Sequence, residues 1–149
     1  MRVAKLLAQL RAETGAGKRA AIEELLVREP NADQALRQEA RRNHTPRQRI
    51  GALAALQRRP TAGNDRFVLR TAVLDGNADV RKSAVEIGRA AVTDEHVDYM
   101  AAGLVHSNPK VRVRTAEALG GLGHPAAIRP LVLAGPNAAA GLAADPGAG

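Results

Sequence analysis

The chain has 149 residues, of which 22 are Lys or Arg and 15 Asp or Glu, for a net charge of +7, and it contains no Cys and no Trp. That length carries one domain or a short row of repeated units, not two ordinary domains, and the lack of Cys excludes disulfides, thiolate nucleophiles and thiolate-bound metals. The apolar share of 45% is almost all Ala, Leu, Val and Ile, with Phe67 and Tyr99 the only aromatics, so the core has to be built from closely approaching helices.

The N-terminal stretch MRVAKLLAQLRAE is broken by Lys5, Gln9 and Arg11, a helical pattern and not the apolar run of a signal peptide. No segment has transmembrane length, and a cytoplasmic protein is expected. TGAGKRA, residues 14 to 20, resembles a phosphate-binding loop, but Ala12 stands at its first Gly position and Arg19 where a hydroxyl is required. It reads as a turn into a second helix, KRAAIEELLVRE. Pro30 and Asn31 end that helix, and a third, ADQALRQEARR, follows. TPRQRIGALAAL and DRFVLRTAVL are the next two, separated by Pro60 to Gly63. In residues 78 to 91, Val80, Ala84, Ile87 and Ala91 share one face while Lys82, Glu86 and Arg89 share another. Thr93 and Asp94 cap a helix running to Val105, and Pro109 and Pro125 each open a helix where a first turn accepts proline. About nine short helices are thus expected over 1–134. The Gly, Ala and Pro content of 135–149 reads as a flexible tail or linker.

Two stretches repeat one another. NADVRKSAVEIG from Asn77 and NPKVRVRTAEALGGLG from Asn108 align at 31 residues, placing Arg81 on Arg112, Glu86 on Glu117, and Leu69, Val73 and Leu74 on Met100, Leu104 and Val105. A fainter copy around Arg49 precedes them. A period near 31 with helical spacing and turns rich in Gly, Asn, Pro and Asp is the signature of an α-solenoid. LDGNADVRKSA and VHSNPKVRVRTAEALGGLGHPAAIRPLV resemble HEAT repeats of the short bacterial type also found in phycobilin lyases, clearly over about 64–134 and weakly over 44–63. The resemblance implies an all-α, right-handed solenoid of helical hairpins and specifies no activity. It also implies that Asp75, six residues before Arg81, ties the turn to the following helix and its neighbour through a carboxylate–guanidinium pair. Arg81, Arg112 and Arg49 then belong to a structural ladder, interrupted where His106 takes the Asp position. In HEAT solenoids the second helices line the concave side. Arg47, Arg58, Lys82, Arg89 and Arg114 recur at matching places there and form the candidate partner-binding set, with Glu86 and Glu117 between them.

Charge is unevenly spread: residues 37–59 hold seven arginines against Glu39 alone, whereas 93–106 hold Asp94, Glu95 and Asp98 with no Lys or Arg. A basic stretch attracts acidic partners or polyanions. His44, His96, His106 and His124 have no helical metal-site spacing, and the repeated His-Glu pairs by which HEAT-type deoxyhypusine hydroxylases ligate iron are missing. HEAT-like alkylpurine DNA glycosylases and base-stacking binders rely on aromatic side chains that this chain lacks. The expectation is therefore a protein without catalytic residues, metal or cofactor, presenting a curved surface to another protein. The alternative is weak, sequence-independent binding of a nucleic-acid backbone along the basic face, with no membrane partner.

Overall fold

The computed structural model describes residues 2–41 and 44–135, and the expected tail beyond 135 lies outside them. The helices are α1 (Arg2–Ala12), α2 (Ala16–Val27), α3 (Ala32–Glu39), α4 (Pro46–Gln57), α5 (Ala62–Leu74), α6 (Ala78–Gly88), α7 (Asp94–Ala101) and α8 (Pro109–Leu122). A 3-10 turn, Ala102–Val105, continues α7 and another, Pro125–Ala127, leads into α9 at 128–135. Among the described residues there is no strand, and no helix is long and apolar enough to cross a membrane.

Side chains that occupy orphaned backbone donors fix the helix starts. Thr45 accepts from the Gln48 amide and Gln48 reaches back to Thr45, a capping box that starts α4 directly on Pro46. Thr61 caps α5, Asn77 caps α6, Thr93 caps α7 and Asn108 caps α8. Thr61 sets the start of α5 three residues before the expected Asp65. Gly123 ends α8 at φ 64°, the left-handed conformation that glycine adopts without a Cβ penalty. The helix expected over 94–105 tightens at Ala102, where α7 gives way to the 3-10 turn.

Sequence neighbours pack as pairs: α1 on α2, α3 on α4, α5 on α6, and α7 with its 3-10 turn on α8. The even helices also pack on one another in order, α2 on α4, α4 on α6 and α6 on α8, and the odd ones do likewise from α1 to α7. One core cluster runs through all of them, with Leu26, Leu36, Leu53, Leu56, Val80, Val97, Leu104 and Leu119 fully buried. Without large aromatics the helices must approach closely. A Cβ built on Gly121 of α8 would lie 2.8 Å from Val85 Cγ1 of α6, so a larger residue there would push the even row apart.

Candidate partner-binding groove between α6 and α8

The groove begins with a ladder in the turns that precede the even helices. Glu13, His44, Asp75 and His106 lie 31 residues apart, and the carbonyl of each accepts a guanidinium N–H from the helix that follows. Arg19 donates to Glu13 (3.0 Å), Arg49 to His44, Arg81 to Asp75 (2.9 Å) and Arg112 to His106 (2.8 Å). Three of the four side chains also accept the amide two residues on: Glu13 from Gly15, Asp75 from Asn77 and His106 from Asn108. The repeat therefore extends to the first turn of the chain, where the sequence shows only helical spacing.

Asp75 pairs differently from the expectation. Beyond the Asn77 amide, its carboxylate accepts from Arg49 Nε at 2.9 Å and Nη2 at 3.0 Å, so the bidentate partner comes from the preceding helix pair. Among the described residues Arg81 bonds the Asp75 carbonyl and not its carboxylate. The geometry explains this: Arg81 sits one turn into α6 and meets the backbone of its own turn, while Arg49 on α4 faces that turn across the even row. His106 offers no carboxylate to Arg81 in the way that Asp75 serves Arg49. The backbone rung from Arg112 survives there, and the link between successive pairs does not.

Arg81 is left half-buried beside another guanidinium. Burial, and then the charge of Arg114, hold its pKa below the ordinary arginine value. Together with Lys82 and Glu86 from α6, Arg89 just past its end, and Arg114, Glu117 and Gly121 from α8, it lines a cavity of about 300 Å³. The spacing of three, four and seven residues along each helix brings these side chains to one seam. Arg114 Nε is buried without a hydrogen-bond partner among the described residues, and Arg89 Nε donates to the Gly121 carbonyl at 2.9 Å. Four cations thus surround two carboxylates, and one buried N–H has no acceptor.

Of the five residues expected as the partner-binding set, Lys82, Arg89 and Arg114 meet in this groove and two lie elsewhere. Arg58 is held by Glu24, with Glu23 at 3.8 Å, both on α2. Arg47 lies at the start of α4, beside a depression lined by Arg11, Glu13 and Arg19. The arginine-rich segment 37–59 is largely committed to internal contacts. Arg37 donates twice to the Asn64 Oδ1, at 3.0 and 2.8 Å, and Arg59 donates to Asp33 and to the carbonyls of Val27 and Pro30. Asp33 also accepts from Asn64 at 3.1 Å. Burial opposes its ionisation, yet the bonds from Arg59 and Asn64 and the charges of Arg59 and Arg37 prevail and lower its pKa. Farther towards the N-terminus, Arg11 grips buried Glu39 with both Nε (2.6 Å) and Nη2. The bond to Glu39, assisted by its charge, outweighs burial and raises the Arg11 pKa.

Sequence reading passes over these polar contacts, although one signal was available. Asp33, Asn64 and Glu95 fall 31 residues apart at the starts of the odd helices, and the first two of them bond to one another. No group of three or more His, Asp or Glu among the described residues could hold a metal ion. Comparison with protein-family models, with curated proteins and with solved structures gives no match for this chain.

Proposed function

We propose that the chain is a short right-handed α-solenoid of HEAT-like hairpins, a single unit over 1–134 that acts without catalysis as a docking scaffold for another protein in the cytoplasm. The observation that carries this reading is the four-rung ladder at Glu13, His44, Asp75 and His106, which repeats one turn geometry along the chain. Repeated units that contact their neighbours in order build extended surfaces rather than enclosed reaction centres. The partner surface in this reading is the α6/α8 groove, where the unpaired Arg114 Nε and the half-buried Arg81 favour a carboxylate from an acidic segment. A cysteine-free chain with no membrane-length helix suits a reducing compartment.

The mixed charge of the groove argues for protein over a nucleic-acid backbone. Glu86 and Glu117 interrupt any run of phosphate contacts, and Arg58 is already neutralised by Glu24. A labelled duplex titrated at about 50 and 200 mM salt should bind weakly at the lower concentration and not at the higher. Sub-micromolar affinity at the higher salt, lost in Arg89→Glu/Arg114→Glu, would replace the scaffold reading with the backbone-binding one.

A further inference from the structure

A second cavity, of about 310 Å³, opens between α5, α7 and α8. Arg66, Leu69, Arg70 and Val73 follow one face of α5 at spacings of three and four, so Leu69 and Val73 form an apolar wall with both guanidiniums along its edge. Met100 and Val111 complete the apolar lining, and Tyr99 stands exposed at the mouth. Among the described residues no Asp or Glu lines the space. Arg66 and Arg70 are exposed, and neither has a hydrogen-bond or ion-pair partner among the described residues. In this they differ from Arg11, Arg37, Arg49, Arg58 and Arg59.

The cavity wall departs from the repeat at two positions that touch. Where Ala72 and Ala84 stand one repeat earlier, this repeat has Gly103 and Thr115. Both earlier alanines are buried, as Thr115 is, at 1% exposure. A Cβ on Gly103 would lie 2.3 Å from Thr115 Oγ1, so the hydroxyl occupies space that the glycine vacates. That hydroxyl has no hydrogen-bond partner among the described residues, whereas Thr71 on α5 donates to the Phe67 carbonyl at 2.9 Å. A buried hydroxyl without a partner costs about 1–3 kcal/mol, and the alanine of the earlier repeat would avoid that cost.

We propose that this cavity is a binding site for a small amphiphilic carboxylate, with its hydrocarbon chain between Leu69, Val73, Met100 and Val111 and its carboxylate on Arg66 and Arg70. The volume lies at the lower end of the range for small-molecule sites, about 300–1,000 Å³, which suits a medium-length chain. Two guanidiniums one helical turn apart can both donate to one carboxylate. The site is independent of the α6/α8 groove and of the scaffold reading.

Tyr99 is the only tyrosine of a chain without tryptophan, so its fluorescence reports on the mouth of the cavity. Octanoate titrated into the full chain should change that emission saturably below about 1 mM, and calorimetry should give the same constant. Octanol, with the chain but no charge, should bind at least tenfold more weakly, and acetate not at all. Arg66→Gln/Arg70→Gln changes two exposed residues and should weaken octanoate at least tenfold while leaving circular dichroism unchanged. Ala102→Leu, which narrows the cavity from its exposed edge, should weaken octanoate and octanol alike. Equal affinity for octanoate and octanol, wild-type affinity in the double variant, or no saturable response to octanoate would each overturn the assignment.

Discussion

The two halves of the molecule are held together by different means. From α1 to the turn at Asp75, successive helix pairs are tied by polar contacts: Arg11 to Glu39, Arg59 to the Val27 carbonyl, Arg37 to Asn64 and Arg49 to Asp75. From α6 onward the only salt bridge among the described residues joins His124 to Asp94, which is 83% exposed. There the helices approach through small residues, Gly121 against Val85 and Gly103 against Thr115. Directional bonds tolerate looser backbone spacing and demand particular partners. Close packing demands small side chains and leaves surface cations uncommitted, so the α6/α8 groove lies in the second half, while the cavity under Tyr99 spans the boundary, joining Arg66 and Arg70 of α5 to α7 and α8.

The largest test of this contrast is at Asp75. Its pair with Arg49 is almost fully buried, the side chains 4% and 9% exposed, and removing one member leaves a buried charge. Asp75→Ala should therefore cost about 3–5 kcal/mol in urea unfolding, whereas His106→Ala at the matching exposed turn should stay within about 0.5 kcal/mol. Similar losses at both positions would mean that the side-chain bonds to the amides two residues on, which both turns make, and not the ion pair, carry the link.

A smaller effect should follow from crowding the second half. Gly103→Ala forces a methyl onto Thr115 and should destabilise by about 1–3 kcal/mol. Adding Thr115→Ala restores the Ala–Ala pairing of the preceding repeat and should recover most of that loss. Additive losses in the double variant would show that the glycine is needed for something other than room.

The smallest effect is that of acid. The folded pKa of Asp33 lies below its unfolded value, so its stabilisation is complete above about pH 4 and is lost as pH falls through the folded value. Amide exchange in α1 to α3 should accordingly speed up at lower acidity than in α6 and α8. Simultaneous opening of both halves would erase the distinction.

The same contrast decides what the sequence discloses. In the second half the repeat survives as identities, since Asn77 and Asn108 cap α6 and α8 and Arg81 and Arg112 occupy equivalent rungs. Close packing needs one residue type at one place, and helix starts there follow from the caps. In the first half the same rungs are built from Glu13 with Arg19 and from His44 with Arg49, because only the turn's backbone carbonyl is required and many side chains can stand above it. The pairing of Asp75 with Arg49 rather than Arg81 was not legible for a related reason: spacing along a chain identifies neighbours on one helix, not the helix packed alongside. Nor does counting arginines in 37–59 reveal that most are occupied, since their acceptors lie about one repeat away. The cavity under Tyr99 is visible in sequence only as the exchange of two alanines for Gly103 and Thr115, which reads as ordinary variation until the two are found in contact.

The ties of the first half have a kinetic consequence. Arg11 and Glu39 are 28 residues apart, Arg49 and Asp75 26, and Arg37 and Asn64 27, so each bond closes a loop of about one repeat. Loop closure grows costlier only slowly with length, and chains dominated by contacts of short separation fold fast. Helices α6 and α8 carry their own asparagine caps and can begin to form from local sequence, while α2, whose Gly15 cap offers no side-chain acceptor, depends on its neighbours to be held. Assembly should therefore spread from the capped C-terminal pairs towards the N-terminus, with the arginine bonds closing last.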